Sequence, residues 1–149
     1  MNLGPVVRVE GLLFCSNHIC LCVGSVCLFQ SPSHLKSFEV LAATLNSGNK
    51  QVLFVNIYRP PSLSLTDFLS EFQSLLEYLI SSPSEIVIMG DFNIHVDVAN
   101  HCSLAFLDML EGFDMRQLIT FPTHNKGHIL DVLITRSDSK SLHSVTSVE

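Results

Sequence analysis

Asp91 and Asn93 stand two positions apart at the end of Ile86-Val87-Ile88-Met89-Gly90, and a carboxylate and an amide with that spacing can serve one substrate. Residues i and i+2 of an extended segment face the same way. The acid can take a proton from an attacking water, while the amide orients that water or donates to a non-bridging oxygen. The chemistry that suits such a pair is hydrolysis of a phosphate ester. The competing reading is a turn that ends a strand, with Asp and Asn as its capping residues. The apolar run before them, mostly β-branched, reads as a strand covered on both faces, and strands of that kind present functional groups just beyond their carboxyl ends.

Three further segments carry residues of the same chemical kind. Tyr58 closes Val55-Asn56-Ile57 and precedes Arg59-Pro60-Pro61, so its ring can pack while its hydroxyl reaches a phosphate; an ordinary strand tyrosine is the alternative. Asp131 is embedded between Ile129-Leu130 and Val132-Leu133-Ile134, where a buried charge is costly unless it is paired. Thr123, His124 and His128 lie between these acids, and His95 follows Asn93 closely. Histidines are common metal ligands, but magnesium prefers hard oxygen donors, so His95, His124 and His128 read as hydrogen-bonding residues of loops around the site. Thr123 reads either as a turn hydroxyl or as a phosphate contact.

Taken in order, the Tyr-Arg-Pro-Pro, Gly-Asp-Phe-Asn-Ile-His and Gly-His-Ile-Leu-Asp strings resemble the endonuclease/exonuclease/phosphatase superfamily. They are most similar to the apurinic-type endonuclease domain of LINE-type non-LTR retrotransposons. The resemblance spans roughly residues 37–147. Pro61 supports the narrower assignment, because the related abasic-site repair enzymes carry Asn there and the retrotransposon type tolerates proline.

The resemblance implies an α/β fold, here part of a four-layer αββα sandwich, and Mg²⁺-dependent hydrolysis of DNA phosphodiester bonds. It makes Asp91 the base or water-orienting group, sets Asn93 and Tyr58 on the scissile phosphate, and gives Asp131 the task of orienting a catalytic histidine. Thr123, His124 and His95 fall on the substrate side, and none of these residues is a metal ligand. Two family elements have no match. The early metal-binding Glu has no counterpart in context, since Glu10 lacks the flanking pattern and Glu39 falls on a later strand. The Ser-Asp-His triplet expected after Asp131 is also missing, and His143 has the wrong neighbours. The expectation is a fragment that lacks both ends of the domain and is inactive as given. Two alternatives stay open: a catalytically dead remnant acting at most as a binding module, or a phosphoesterase of the same superfamily with a phosphoinositide or nucleotide substrate.

The elements that must position these groups follow from pattern. Residues 38–45 and 51–58 are β-rich runs joined by Asn46-Ser47-Gly48-Asn49, which makes a hairpin. Pro60-Pro61 stops the second strand. Ser64 and Asp67 open a helix whose Phe68, Leu69, Phe72, Leu75, Leu76, Leu79 and Ile80 share one face, and Ser81-Ser82-Pro83 closes it. A second helix is expected over residues 103–111, stopped by Gly112. Final strands are expected over residues 115–121 and 128–135, before a serine-rich tail from Ser137 that hints at disorder. The domain so outlined is 37–149, and residues 1–36 form an apolar N-terminal segment outside the resemblance.

Composition sets limits on this reading. The 149 residues are 47% hydrophobic and 15% charged, ample for a core but short for a whole two-sheet sandwich. A net charge of −6, with eight unclustered basic residues, weakens the electrostatic grip that duplex DNA needs, so DNA is a partner only by resemblance. Residues 12–29 contain no Asp, Glu, Lys or Arg, but Ser16, Asn17, His18, Gly24 and Ser25 interrupt them. They read as one or two core strands, or as sequence unrelated to the domain, rather than as a membrane span or signal peptide. Cys15, Cys20, Cys22 and Cys27 lack the paired C-x2-C knuckles of a structural zinc site. They read as small apolar strand residues of an intracellular protein, nuclear or cytoplasmic. Oligomeric state is not legible.

Overall fold

The structure, a computed structural model, describes residues 6–9, 12–15, 18–20, 27–30, 35–47, 49–139, 142 and 145, with the backbone alone over 6–30 and at Ser47. Among the described residues there are two sheets. The first is antiparallel: β1 (Val6–Val9), β2 (Leu12–Cys15) and β3 (His18–Cys20), in that order. The second has six strands: β4 (Cys27–Gln30), β5 (Glu39–Ser47), β6 (Lys50–Tyr58), β7 (Glu85–Asp91), β8 (Met115–Gln117) and β9 (Asp131–Arg136). Their spatial order is β4-β5-β6-β7-β9-β8. Among the described residues only the β6–β7 pair is parallel, because the helix α1 (Leu65–Ile80) connects those two strands and returns the chain to the same end of the sheet. The described parts of the apolar run at 12–29 are strand, and β4 pairs with β5 from Cys27↔Thr44 to Gln30↔Leu41. Glu10, Ser16, Asn17, Cys22, Gly24, Ser25 and His143 lie outside the described residues, as do the side chains of Cys15, Cys20 and Cys27 on which the cysteine reading rests.

Alternation along the central strands gives the sheet two apolar faces. Val55, Ile57, Ile86, Ile88, Val132 and Ile134 face α1 and α2 (His101–Gly112), where they meet Phe68, Phe72, Leu76, Leu79, Phe106 and Leu110. Phe54, Val87, Met89 and Leu133 face the other way and pack with Leu45, Ile119, Ile129 and Leu142. Strand β7 is thus covered on both sides, as its unbroken apolar run requires. Five phenylalanines tie the helical layer together: Phe38, Phe68, Phe72, Phe92 and Phe106 lie with neighbouring ring centroids 5.4–5.9 Å apart. Each buries an aromatic side chain worth roughly 2–3 kcal/mol of transfer free energy.

The helix termini follow local side-chain chemistry. Ser64 caps α1 by accepting from the Asp67 amide at 3.3 Å. Helix α2 starts two residues earlier than its apolar periodicity implies. Asn100 accepts from the amides of Cys102 (2.8 Å) and Ser103 (3.0 Å), while the Ser103 hydroxyl accepts from the Asn100 amide at 3.1 Å. This is a reciprocal capping box, with Ser103 as its buried third residue rather than the helix start. Gly112 is likewise not the left-handed terminator; that conformation falls to Asp114, with φ 53°.

The last two strands are shorter than expected. After Gln117 the chain keeps one bond to β9, Leu118 N–H to Leu133 O at 2.8 Å, then turns Ile119 and Phe121 into the second apolar cluster. At 128–130 the strand does not form. The Thr123 hydroxyl accepts from the amides of Leu130 and Asp131, 3.0 Å each, so those donors are satisfied by a side chain instead of a strand partner. Asp131 therefore opens β9 rather than lying embedded within it.

Candidate active site

Register brings the candidate residues together at one end of the six-stranded sheet. Tyr58 is paired with Asp91 across the parallel β6–β7 ladder, and Asp91 is paired with Asp131 across the antiparallel β7–β9 ladder. Directly opposed residues point to the same face. The tyrosine, the first acid and the second acid thus form a row, on the face away from α1 and α2. Tyr58 is 43% exposed, and both acids are half-buried.

Gly90 makes this approach possible. Its φ is 137°, and a Cβ at this position would collide with the carbonyl oxygen of Ile57. Strand β7 therefore closes onto β6 immediately before Asp91, in a conformation that favours glycine. Phe92 then dives into the aromatic cluster, fully buried, and its amide donates to Leu130 O at 3.1 Å.

Asn93 departs from the extended geometry that its spacing implies. It has φ 48°, so Asp91 and Asn93 do not face one way by strand alternation. Instead the Asn93 amide donates to Asp91 Oδ1 at 3.0 Å, and its Nδ2 donates to Arg59 O at 2.9 Å. The acid and the amide meet through an Asx-type turn. The turn offered by the sequence is thus present, and it is what joins these two candidate residues.

The electrostatics of the two acids are alike. Burial raises the pKa of Asp91, opposed by hydrogen bonds from Asn93 and by the charges of His124 and Arg59. Burial raises that of Asp131 as well, opposed first by the Thr123 hydroxyl and reinforced by the negative charge of Asp91. A carboxylate so placed is a better proton acceptor than a solvated one. Thr123 contacts Asp131 directly, and His124 is near enough for its charge to act on both acids.

His95 joins a different group. Its ring stacks on His128, with centroids 4.4 Å apart and planes 8° from parallel. His128 Nδ1 lies 2.9 Å from Asp97 Oδ2, and the other Asp97 oxygen accepts from the Ile129 amide at 2.9 Å. The hydrogen bond to His128, then that from Ile129, holds the Asp97 carboxyl down to about 2. This exposed pair fastens the 94–98 loop to the segment leading into β9. Asp97 carried no sequence signal, since its partner lies 31 positions away. Two more residues adjoin the row without a local sequence signal. Asn56 precedes Tyr58 by two on the same face, and its buried Oδ1 has no hydrogen-bond partner. Arg59 is buried directly behind the row of site residues.

The fold is that of an endonuclease/exonuclease/phosphatase-type α/β domain. The chain is similar to the endonuclease domain of TRAS1, a telomere-specific non-LTR retrotransposon, with TM-score 0.63 and 14% identity over 78% of this chain and 57% of that one. It is also similar to an endonuclease/exonuclease/phosphatase family protein from Leptotrichia buccalis C-1013-b, with TM-score 0.50 and 18% identity over 78% of this chain and 47% of that one. A third structure, the AP endonuclease LMAP from Leishmania major, aligns with TM-score 0.46 and 17% identity over 66% of this chain and 46% of that one. No curated protein sequence matches. The family model described as endonuclease-reverse transcriptase matches residues 52–149, well over half of the chain, and the protein belongs to that family. The chain spans little more than half the length of the TRAS1 domain.

A magnesium ion requires several hard oxygen ligands in near-octahedral array. The row supplies the carboxylates of Asp91 and Asp131, and among the described residues no group of three or more His, Cys, Asp and Glu side chains has metal-holding geometry. This donor set does not fit a protein-held magnesium ion. Among the described residues, no helix is long and apolar enough to cross a membrane.

Proposed function

We propose that the chain is part of a retrotransposon-type endonuclease domain whose substrate is a DNA phosphodiester, with 37–149 as the domain-like portion and β4 as an added edge strand. The observation that carries this is the Tyr58–Asp91–Asp131 row, with Asn93 folded against its central acid. In this reading Asp91, its basicity raised by burial, takes a proton from or orients the attacking water. The Tyr58 hydroxyl contacts a phosphate oxygen, as does the Nδ2 hydrogen of Asn93 that Arg59 O leaves available. Asp131 orients a histidine, and Thr123, His124 and His95 line the approach of the substrate. Magnesium dependence belongs to the complete domain, with its ligands supplied from beyond the described residues, and the place of action is intracellular, nuclear or cytoplasmic.

The 149-residue chain on its own is proposed to be catalytically silent, since a site that works as one unit loses about 10²–10⁴ in rate with its acid–base group alone. Two assays test the reading. In low salt the purified chain should bind a short duplex oligonucleotide weakly, and Tyr58→Ala or Asn93→Ala should weaken that binding; binding indifferent to both would dismiss the DNA reading. With supercoiled plasmid and Mg²⁺ the chain should not nick above background, and nicking that vanishes in Asp91→Ala would show that the catalytic set is complete here.

A further inference from the structure

Arg59 is the basic residue nearest the row in sequence, and beside Tyr58 it invites the reading of a phosphate ligand. Its geometry says otherwise. The side chain is 5% exposed. One guanidinium nitrogen, Nη1, donates to the carbonyls of Phe92 (3.2 Å) and Asn93 (3.3 Å), and the other, Nη2, donates to Leu63 O at 2.8 Å. The guanidinium plane lies over the Phe68 ring, 5.6 Å from its centroid. The backbone of the same residue adds two bonds to the same turn: its N–H donates to Asp91 O at 2.9 Å, and its carbonyl accepts from Asn93 Nδ2 at 2.9 Å. Every residue from Asp91 to Asn93 is thereby held by Arg59.

Such holding is needed where it falls. A non-glycine residue with positive φ persists only when its surroundings over-determine it, at a cost of roughly 1–3 kcal/mol. Asn93 is such a residue, and its carbonyl is one of those that the guanidinium binds. Burying a charge is itself expensive, and Nε has no partner to offset it. A lysine reaches fewer carbonyls at once, because its donors radiate from one atom whereas the guanidinium fork presents them in a plane. The Leu63 contact ties the turn to the loop immediately before the α1 cap, so the strand end, the Pro60-Pro61 loop and the helix entrance are clamped at one point.

We propose that Arg59 is a positioning residue for the site, which fixes the Asp91–Asn93 turn through its carbonyls and does not contact substrate phosphate. This deepens the reading given above and rests on it. The test compares Arg59→Lys with Leu79→Ala, a core substitution at the far end of α1 that lowers global stability without touching the turn. In amide hydrogen exchange, Arg59→Lys should speed exchange at Asn93 and Phe92 by about tenfold relative to Ile88 in the central strand, whereas in Leu79→Ala the three should move together. Asn93 keeping pace with Ile88 in Arg59→Lys would overturn the proposal. In duplex binding as a function of salt, Arg59→Lys should keep the slope of the unmodified chain. Removal of a phosphate contact in Arg59→Gln would instead lower that slope by about one, and that result also overturns the proposal. Should both variants fail to fold, the Arg59 guanidinium resonances of the unmodified protein decide the matter. Slow rotation and no shift on titration with the oligonucleotide are expected, and a saturable shift refutes the assignment. Should the unmodified chain bind no DNA, the endonuclease reading fails while the exchange measurement still tests the clamp.

Discussion

Asp131→Asn should stabilise the protein at neutral pH while removing a group assigned to the site. Asp91 and Asp131 are opposed across the antiparallel β7–β9 ladder. Side chains so paired lie about 5 Å apart, and two like charges at that distance repel by roughly 3 kcal/mol at an effective dielectric of about 20. Both groups are half-buried, and solvent screening reduces the figure to about 1 kcal/mol. The direction follows from the pKa values, both raised above the ordinary carboxylate value. The folded state therefore binds these protons more tightly than the unfolded chain. The penalty is absent below the unfolded pKa, grows as pH rises through the folded values, and is complete above them. Asparagine keeps an oxygen to accept from Thr123, so the substitution removes charge with little loss of contact. Urea denaturation at pH 7 should show a gain of about 1 kcal/mol, or roughly 2–4 °C in Tm for a chain of this size, and the gain should shrink towards zero near pH 4. Destabilisation at pH 7, or a gain that does not change with pH, would show that the two acids do not repel across the ladder.

Gly90→Ala should cost about 3 kcal/mol or more, since the new Cβ meets Ile57 O and φ is 137°; a urea midpoint close to that of the unmodified chain would contradict the strand geometry. Phe92→Ala, which empties a fully buried position among three aromatic rings, should lose about 3–5 kcal/mol, read from the same denaturation curves. Tyr58→Phe should change stability by no more than about 0.5 kcal/mol, because the residue is 43% exposed, yet should weaken oligonucleotide binding. For Asp97, carboxyl NMR should place the midpoint at about 2. Since that value is depressed, the stability it contributes is present above the ordinary Asp range and is lost as pH falls towards 2; His128→Ala should return the midpoint towards the ordinary value.

The parts of the fold legible in the sequence are those where periodicity and burial agree. Strands β5, β6 and β7 were marked by apolar, β-rich runs and helix α1 by apolar residues three and four apart, and those marks survive because the residues that make them pack into the two apolar clusters. The parts that were misread are governed by side chains bonding to backbone. Asn100 moves the start of α2, Asp114 replaces Gly112 as the left-handed residue, and Thr123 takes the amides that would have lengthened β9. None of these leaves a trace in hydropathy, because each depends on one polar atom meeting a particular donor.

The site divides along the same line. Tyr58 and Asp91 could be nominated by type and by their place at strand ends, and Asp131 as a charge within an apolar run, since register alone aligns the three. Asn93 was nominated by a rule for extended chains that its own backbone breaks. What unites it with Asp91 is a turn held by contacts 33 and 34 residues away in sequence, through Arg59. Long-range carbonyl recognition of this sort has no local spacing to betray it, and from sequence the arginine beside Tyr58 suggests a grip on phosphate instead. The positive charge adjoining the site is thus spent internally, which leaves a chain of net charge −6 with little electrostatic pull of its own on DNA. On the proposed reading, affinity for DNA rests on the Tyr58 and Asn93 contacts and not on Arg59.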